Sequence, residues 1–496
     1  MSRIKELFSD SLVYGLSSVV ARFINYLLVP FYTFYFNPAE YGLIGLIYAA
    51  IVFLNVIYQF GMESAYIRYA SDQNRRPGKV FVTLQLALLG AATGLSLLLY
   101  WGASPFVLPL MSLDIEGGQQ LFAMMLGILW LDALGIVPFA HLRIVRKSYT
   151  YALIKLLNVI VNVGLNIYLV AFLGFGLEAL LISNIIASGI ALLLLIAVTL
   201  PLYKAAPELA ILKTALLFGL PYVPNGIGFA INEVLDRFFL VRLSPEQLSA
   251  IYETPYSAEE ITGIYNACYK LAVFMLLTVQ MFRLAWQPFF MRYARDKDSP
   301  ELFARVFLYF NAVSALVFIG IGLFTAEIAA LPVPVLDGTL IDSRYWAGLH
   351  IVPVLLLAYW FQGWFVNFSA GIFIQEKTIH FPKITLYGAL VTVGGNLLLT
   401  PLLGMMGAAL ATLGCYALMS LLAYYYARKL YPVGYPLGSV LGMMTASVGV
   451  VWLGWQFPDI AGTDWAGRLL LAACGTIAVG GAVYYTIARQ RSEYKK

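Results

Sequence analysis

Five cations stand inside stretches that are otherwise apolar: Arg22, Lys155, Arg237, Lys270 and Arg283. Three carboxylates share that setting, Asp132, Glu233 and Asp236. A charge at membrane depth is costly unless it faces protein or water, so each is a candidate functional group. Fixed cations in a low-dielectric cavity replace part of the hydration that an anion loses on entering. At the rise of a helix, Arg22 lies about 15 Å into its span, and Lys270 reaches a similar depth from the opposite side. Both are read as cavity residues that contact substrate. Lys155 and Arg283 sit nearer one boundary, where snorkelling to headgroups competes with a cavity role.

For the carboxylates the sequence leaves alternatives. Asp132 lies where Lys155 could neutralise it, so a structural ion pair and an ion-coupling role both fit. Glu233 and Arg237 are spaced i, i+4, which allows a local salt bridge. With Asp236 they come late in an outward-running span and read as an outer gate, against the plain alternative of a salt-bridged helix end. Asn25 shares a helical face with Arg22, and Asn225 and Asn232 stand seven residues apart on one span. Amides suit sugar hydroxyls, although interhelical hydrogen bonding is their commoner use in membranes. His141, His350 and His380 are scattered at span ends, and Cys268, Cys415 and Cys474 are far apart. Neither a metal site, nor a cofactor, nor a disulfide framework is read from them. No nucleophile-base constellation appears, so an enzyme is not expected.

The elements that hold these groups are membrane helices. With 61% hydrophobic and 11% charged residues in 496, the chain falls far outside the soluble range. The fold class expected is an all-α polytopic membrane protein with fourteen transmembrane spans. They run near 11–36, 41–62, 80–101, 119–140, 149–172, 177–200, 209–242, 260–290, 303–324, 347–374, 379–401, 404–427, 434–456 and 466–488. Alternate connections hold 23 of the 31 Lys and Arg, Arg68 and Arg75 among them, whereas the opposite side holds only Arg242, Arg344 and Arg468. That asymmetry places both termini in the cytoplasm. The first span lacks a small-residue cleavage site and is expected to stay as an anchor. The seventh is interrupted by Pro221, Pro224, Gly226 and Gly228. A break at membrane depth must be covered by protein or water, so this span should line a cavity.

The chain also repeats itself. Residues 139–174 align with 369–404 at a constant offset of 230, pairing Lys147, Gly164, Asn166 and Gly174 with Lys377, Gly394, Asn396 and Gly404. Arg68-Tyr69-Ala70 recurs as Arg292-Tyr293-Ala294 at a similar offset. Six spans, an even number, separate equivalent positions, so two bundles of six share one orientation about an axis along the membrane normal. The expected domains are 1–205, 206–430, and 431–496 for the last two spans and tail.

Four short stretches then suggest a family: PAEYGL at 38–43, LDRFFL at 235–240, GIYNACYK at 263–270 and AWQPFF at 285–290. In order and spacing the chain resembles the polysaccharide transport branch of the multidrug/oligosaccharidyl-lipid/polysaccharide (MOP) superfamily, the flippases for lipid-linked oligosaccharides. The resemblance implies movement of an undecaprenyl-diphosphate-linked glycan from the inner to the outer leaflet of a bacterial cytoplasmic membrane by alternating access, for surface polysaccharides such as O-antigen. For such a cargo the charges and amides read above give Arg22, Asn25, Asn225, Asn232, Lys270 and Arg283 as the expected substrate residues, and Asp132, Lys155, Glu233, Asp236 and Arg237 as the expected gate or ion-coupling residues. The partners implied are the lipid-linked glycan, membrane lipids, a coupling proton or sodium ion, and a polysaccharide polymerase or glycosyltransferases. Nucleic acid is not among them. A multidrug or cation antiporter of the same superfamily is the alternative, although organic cations call for an acidic cavity. A glycan polymerase or ligase would need a larger outer loop than the connections of about 20 residues here.

Overall fold

The computed structural model describes residues 28–71, 76–456 and 465–493. In chain order the helices are α1 (Val29–Tyr35), α2 (Pro38–Gln59), α3 (Met62–Ala70), α4 (Pro77–Leu97), α5 (Ser104–Leu110), α6 (Gly118–Ile144), α7 (Ser148–Ile167), α8 (Glu178–Thr199), α9 (Leu209–Gly219) and α10 (Tyr222–Leu240). They continue with α11 (Pro245–Ile251), α12 (Ala258–Tyr293), α13 (Ser299–Leu323), α14 (Thr325–Ala329), α15 (Val352–Ile374), α16 (His380–Leu403), α17 (Met405–Leu430), α18 (Leu437–Gln456) and α19 (Trp465–Glu493). Twelve segments among the described residues are long and apolar enough to cross a membrane, and α9 with α10 makes a thirteenth, bent by 43°. The fold is therefore all-α and polytopic. The span expected at 11–36 lies mostly outside the described residues.

Two helix breaks organise the first part of the chain. α2 starts on a capping box, in which Asn37 and Glu40 satisfy each other's backbone N–H at 2.9 Å. It ends where Phe60 and Gly61 turn left-handed, at φ 47° and 67°. α3 then resumes, so the span expected at 41–62 continues to Ala70. Arg68, counted above as a loop residue, is thereby on a spanning segment. The second break is the one expected near Pro221. The two meet: a Cβ at Gly61 would overlap the Gly219 carbonyl oxygen, and one at Gly219 would lie 2.8 Å from that of Phe60. Only backbones without side chains can approach this closely.

The internal repeat is visible in the backbone. Arg146 and Glu376, 230 apart, both end a helix with positive φ, 55° and 53°. In each case the next residue bonds back across the turn, Lys147 N–H to the Leu142 carbonyl (2.9 Å) and Lys377 N–H to that of Ile372 (3.1 Å). Gly174 and Gly404 share positive φ at the same offset. Asn166 and Asn396 are both fully buried and donate to the carbonyls of Asn162 and Thr392, one turn back.

By contacts the chain forms two compact units, residues 1–266 and 267–496. The first is centred on α6, whose Phe122, Met125, Ile128 and Leu129 pack with Tyr58 of α2. α9, α10 and the start of α12 belong to this unit because they pack on α2 and α3, so the unit boundary does not coincide with the repeat boundary near 205. In the second unit Trp360 and Trp364 of α15 both donate indole N–H to the Asn311 side-chain oxygen of α13, at 2.8 and 2.6 Å. The last two helices are fastened there by Trp455 N–H to the Gly322 carbonyl (2.8 Å) and by an ion pair of Arg468 with Glu327. The connection after α14 carries a two-residue β-hairpin, Pro332–Val333 with Gly338–Thr339, which the apolar pattern does not suggest.

Candidate functional site

The acid–base residues of the seventh span come together with a tyrosine from α12. Asp236 Oδ1 accepts from the Arg237 guanidinium at 2.7 Å and from the Arg237 backbone N–H at 2.9 Å. Its other oxygen accepts from the Tyr265 hydroxyl at 2.6 Å. The guanidinium also donates to the Glu233 carbonyl (2.8 Å) and lies 5.8 Å from the Tyr265 ring centre. Asp236 and Arg237 are only 3% and 5% exposed, which makes them a desolvated pair whose hydrogen bonds must compensate for lost water. Asn232 is buried on the same helix, and Glu233 is half-buried. Tyr265 lies inside the GIYNACYK stretch, but a search for charges alone passes over it.

Next to this network, α2 and α12 touch backbone to backbone. A Cβ at Gly42 would overlap the Glu259 carbonyl oxygen, and one at Gly263 would overlap that of Pro38. The contact is reciprocal, since each helix offers the carbonyl one turn before its own glycine. One turn further, a Cβ at Gly45 would lie 3.0 Å from the Asn266 amide nitrogen. The PAEYGL and GIYNACYK stretches thus form one closed seam.

Asp132 belongs to a separate network within the first unit. It accepts from the Ser188 hydroxyl at 2.8 Å. Ser188 also approaches Asn184, whose amide reaches the Tyr48 hydroxyl, both at 3.5 Å. Lys155 is near enough to act on Asp132 electrostatically, but among the described residues no ion pair within 4 Å joins them. Its ammonium instead sits 4.4 Å from the centre of the Phe139 ring. The carboxylate on α6 is therefore held by a neutral donor on α8, Ser188, which a chain of weaker contacts through Asn184 links to Tyr48 of α2.

The remaining candidates are placed one by one. Asn225 is half-buried just past the helix break, and its buried side-chain oxygen has no hydrogen-bond partner. Lys270 is half-buried on α12, and Arg283 on the same helix is exposed. Arg22 and Asn25 lie outside the described residues. Among the described residues, no group of three or more His, Cys, Asp or Glu is arranged to hold a metal ion.

The fold is similar to that of solved transporters. The lipid II flippase MurJ, in an inward closed conformation, superposes with a TM-score of 0.70 at 12% identity, over 96% of this chain and 100% of that one. An inward-facing multidrug resistance MATE transporter of the MOP superfamily gives 0.61 at 15% identity, over 84% and 94%. An outward-facing one gives 0.53 at 15%, over 86% and 94%. No curated protein sequence is similar enough to place the chain more finely. Helices, breaks and the bent seventh span give this chain the polytopic all-α fold that these flippase and multidrug transporters share. A family model described as "polysaccharide biosynthesis protein" matches residues 35–339, more than half of the sequence, and the chain belongs to that family.

Proposed function

We propose that this protein flips undecaprenyl-diphosphate-linked oligosaccharides from the cytoplasmic to the outer leaflet by alternating access, for cell-surface polysaccharide synthesis. The observation that carries the reading is that the stretch belonging to a polysaccharide biosynthesis family folds as a flippase-type transporter. A transporter serving that synthesis has a glycan, joined to its lipid carrier, as natural cargo.

In this reading both termini are cytoplasmic, and the lobes that move are the two repeats, 1–205 and 206–430. The seam of Gly42 and Gly263, with the Asp236–Arg237–Tyr265 network beside it, is the closed outer gate. It joins α2 of the first repeat to α10 and α12 of the second, so release requires it to part. Lys270 and Arg283 offer charge to the diphosphate, with Arg22 completing the set. Asn225 and Asn232, together with Asn25, offer amides to sugar hydroxyls. Asp132, held by Ser188 and near Lys155, is the ion-coupling group, with a proton or sodium ion as its ligand.

The test reconstitutes the full chain in liposomes with a fluorescent undecaprenyl-diphosphate oligosaccharide and follows its exposure by lectin or periodate access. Transfer above protein-free liposomes is expected. Efflux of organic cations without glycan transfer would favour an antiporter and overturn the reading.

A further inference from the structure

The repeated Arg-Tyr-Ala stretch has no part in the gate or the coupling network, yet its first copy is built into a specific arrangement. Arg68 is exposed on α3, and its guanidinium carbon lies 5.0 Å from the centre of the Phe218 ring on α9. Tyr69 meets the same ring edge-on, at 5.8 Å and 76°, and its hydroxyl donates to the Thr214 carbonyl at 3.4 Å. Phe218 in turn packs on Tyr222 at 5.5 Å, across the helix break. The crossing of Gly61 and Gly219 sets this geometry, because Phe218 is adjacent to it and α3 runs alongside α9 from there.

The direction of Arg68 is informative. Side chains on a helix lean toward its N-terminus, so Arg68 reaches back from the Ala70 end toward the crossing. Arg68 is two residues from the Ala70 end of its segment, and its guanidinium turns back from that end onto Phe218. A snorkelling arginine reaches the other way, to the near boundary. A charge turned inward from the boundary calls for water or an anion. A guanidinium braced on an aromatic face keeps its planar N–H fork for a phosphate-type group.

We propose that Arg68, braced by Phe218 and Tyr69, is a phosphate-recognition residue in the transport path, taking the diphosphate of the polyprenyl-linked cargo on its way from the cytoplasmic leaflet. The proposal rests on the flippase reading above. The headgroup of a bulk anionic lipid offers the same chemistry, and the experiment separates the two.

The full chain in phosphatidylcholine nanodiscs is titrated with undecaprenyl diphosphate, with phosphatidylglycerol as competitor. Arg68→Ala should weaken binding about tenfold or more, the scale of one lost charge-assisted contact. Arg68→Lys should lose several-fold, because the charge survives without the fork. Phe218→Leu should shift affinity in the same direction. Arg305→Ala, which removes an exposed ion pair with Glu301, should leave binding unchanged. If Arg68→Ala does not remain monodisperse, the Lys and Phe218→Leu variants decide. Wild-type affinity in the Arg68 and Phe218 variants would overturn the proposal alone. Displacement by phosphatidylglycerol that depends on Arg68 would overturn it in favour of bulk lipid. If the wild-type chain binds no undecaprenyl diphosphate, the cargo reading falls and the proposal with it.

Discussion

The segment α2–α3 and the helix α12 occupy equivalent places in the two repeats, and they end on the same Arg-Tyr-Ala triplet. One is broken and the other is continuous over 36 residues. Aligning the triplets pairs Gly61 with Ala285, so only the first copy has at this position a residue that admits both a left-handed turn and the close approach of Gly219. Gly61 takes a left-handed conformation and lets the α9 backbone cross against it, whereas Ala285 is exposed within an unbroken helix. Among the described residues, the duplicated helix thus carries a left-handed crossing point in its first copy, and Arg68 owes its place over Phe218 to that point.

The largest test of this contrast is Gly61→Val. Left-handed strain of about 1–2 kcal/mol adds to an overlap of about 1–3 kcal/mol, so the folded state should lose roughly 2–5 kcal/mol. Thermal melting in detergent reads this, and an unchanged midpoint would mean that the crossing is not required. Next comes Tyr265→Phe on α12, which frees one oxygen of the buried Asp236 on α10. The loss of a hydrogen bond to a charged group should cost about 1.5–3 kcal/mol. It should also speed backbone hydrogen exchange at the seam, measured around Gly42 and Gly263 by mass spectrometry. The smallest effect belongs to Ala285→Gly, about 0.5–1 kcal/mol, because an exposed position on an unbroken helix loses only helix propensity. A fall as steep as that of Gly61→Val would mean that glycine alone breaks the helix, and the comparison would fail.

Much of this fold is legible in the sequence because its signals are local. Apolar length marks the spans, the prolines near 221 mark one break, and the offset of 230 survives even in the left-handed turns at Arg146 and Glu376. The break at Gly61 is different. A lone glycine in an apolar run is compatible with a helix, and here a neighbour distant in sequence decides. The same holds for the site: Asp236 and Arg237 stand out by charge, but Tyr265 completes them from 29 residues away. Ser188 likewise replaces the lysine that spacing suggested as the partner of Asp132.

The reciprocal contact of Gly42 with Glu259 and of Gly263 with Pro38 has a consequence for how such a chain can arise. A surface that pairs with its own copy needs to evolve once, because the same patch serves both sides of a two-fold contact. Two separate copies of a six-helix chain could close on each other through this patch before any fusion. Joining them end to end would add no new contact, only a high local concentration of each half for the other. Once joined, each copy could change alone: the seam glycines Gly42 and Gly263 are 221 apart but Arg68 and Arg292 are 224 apart, so the copies differ by three residues between seam and triplet.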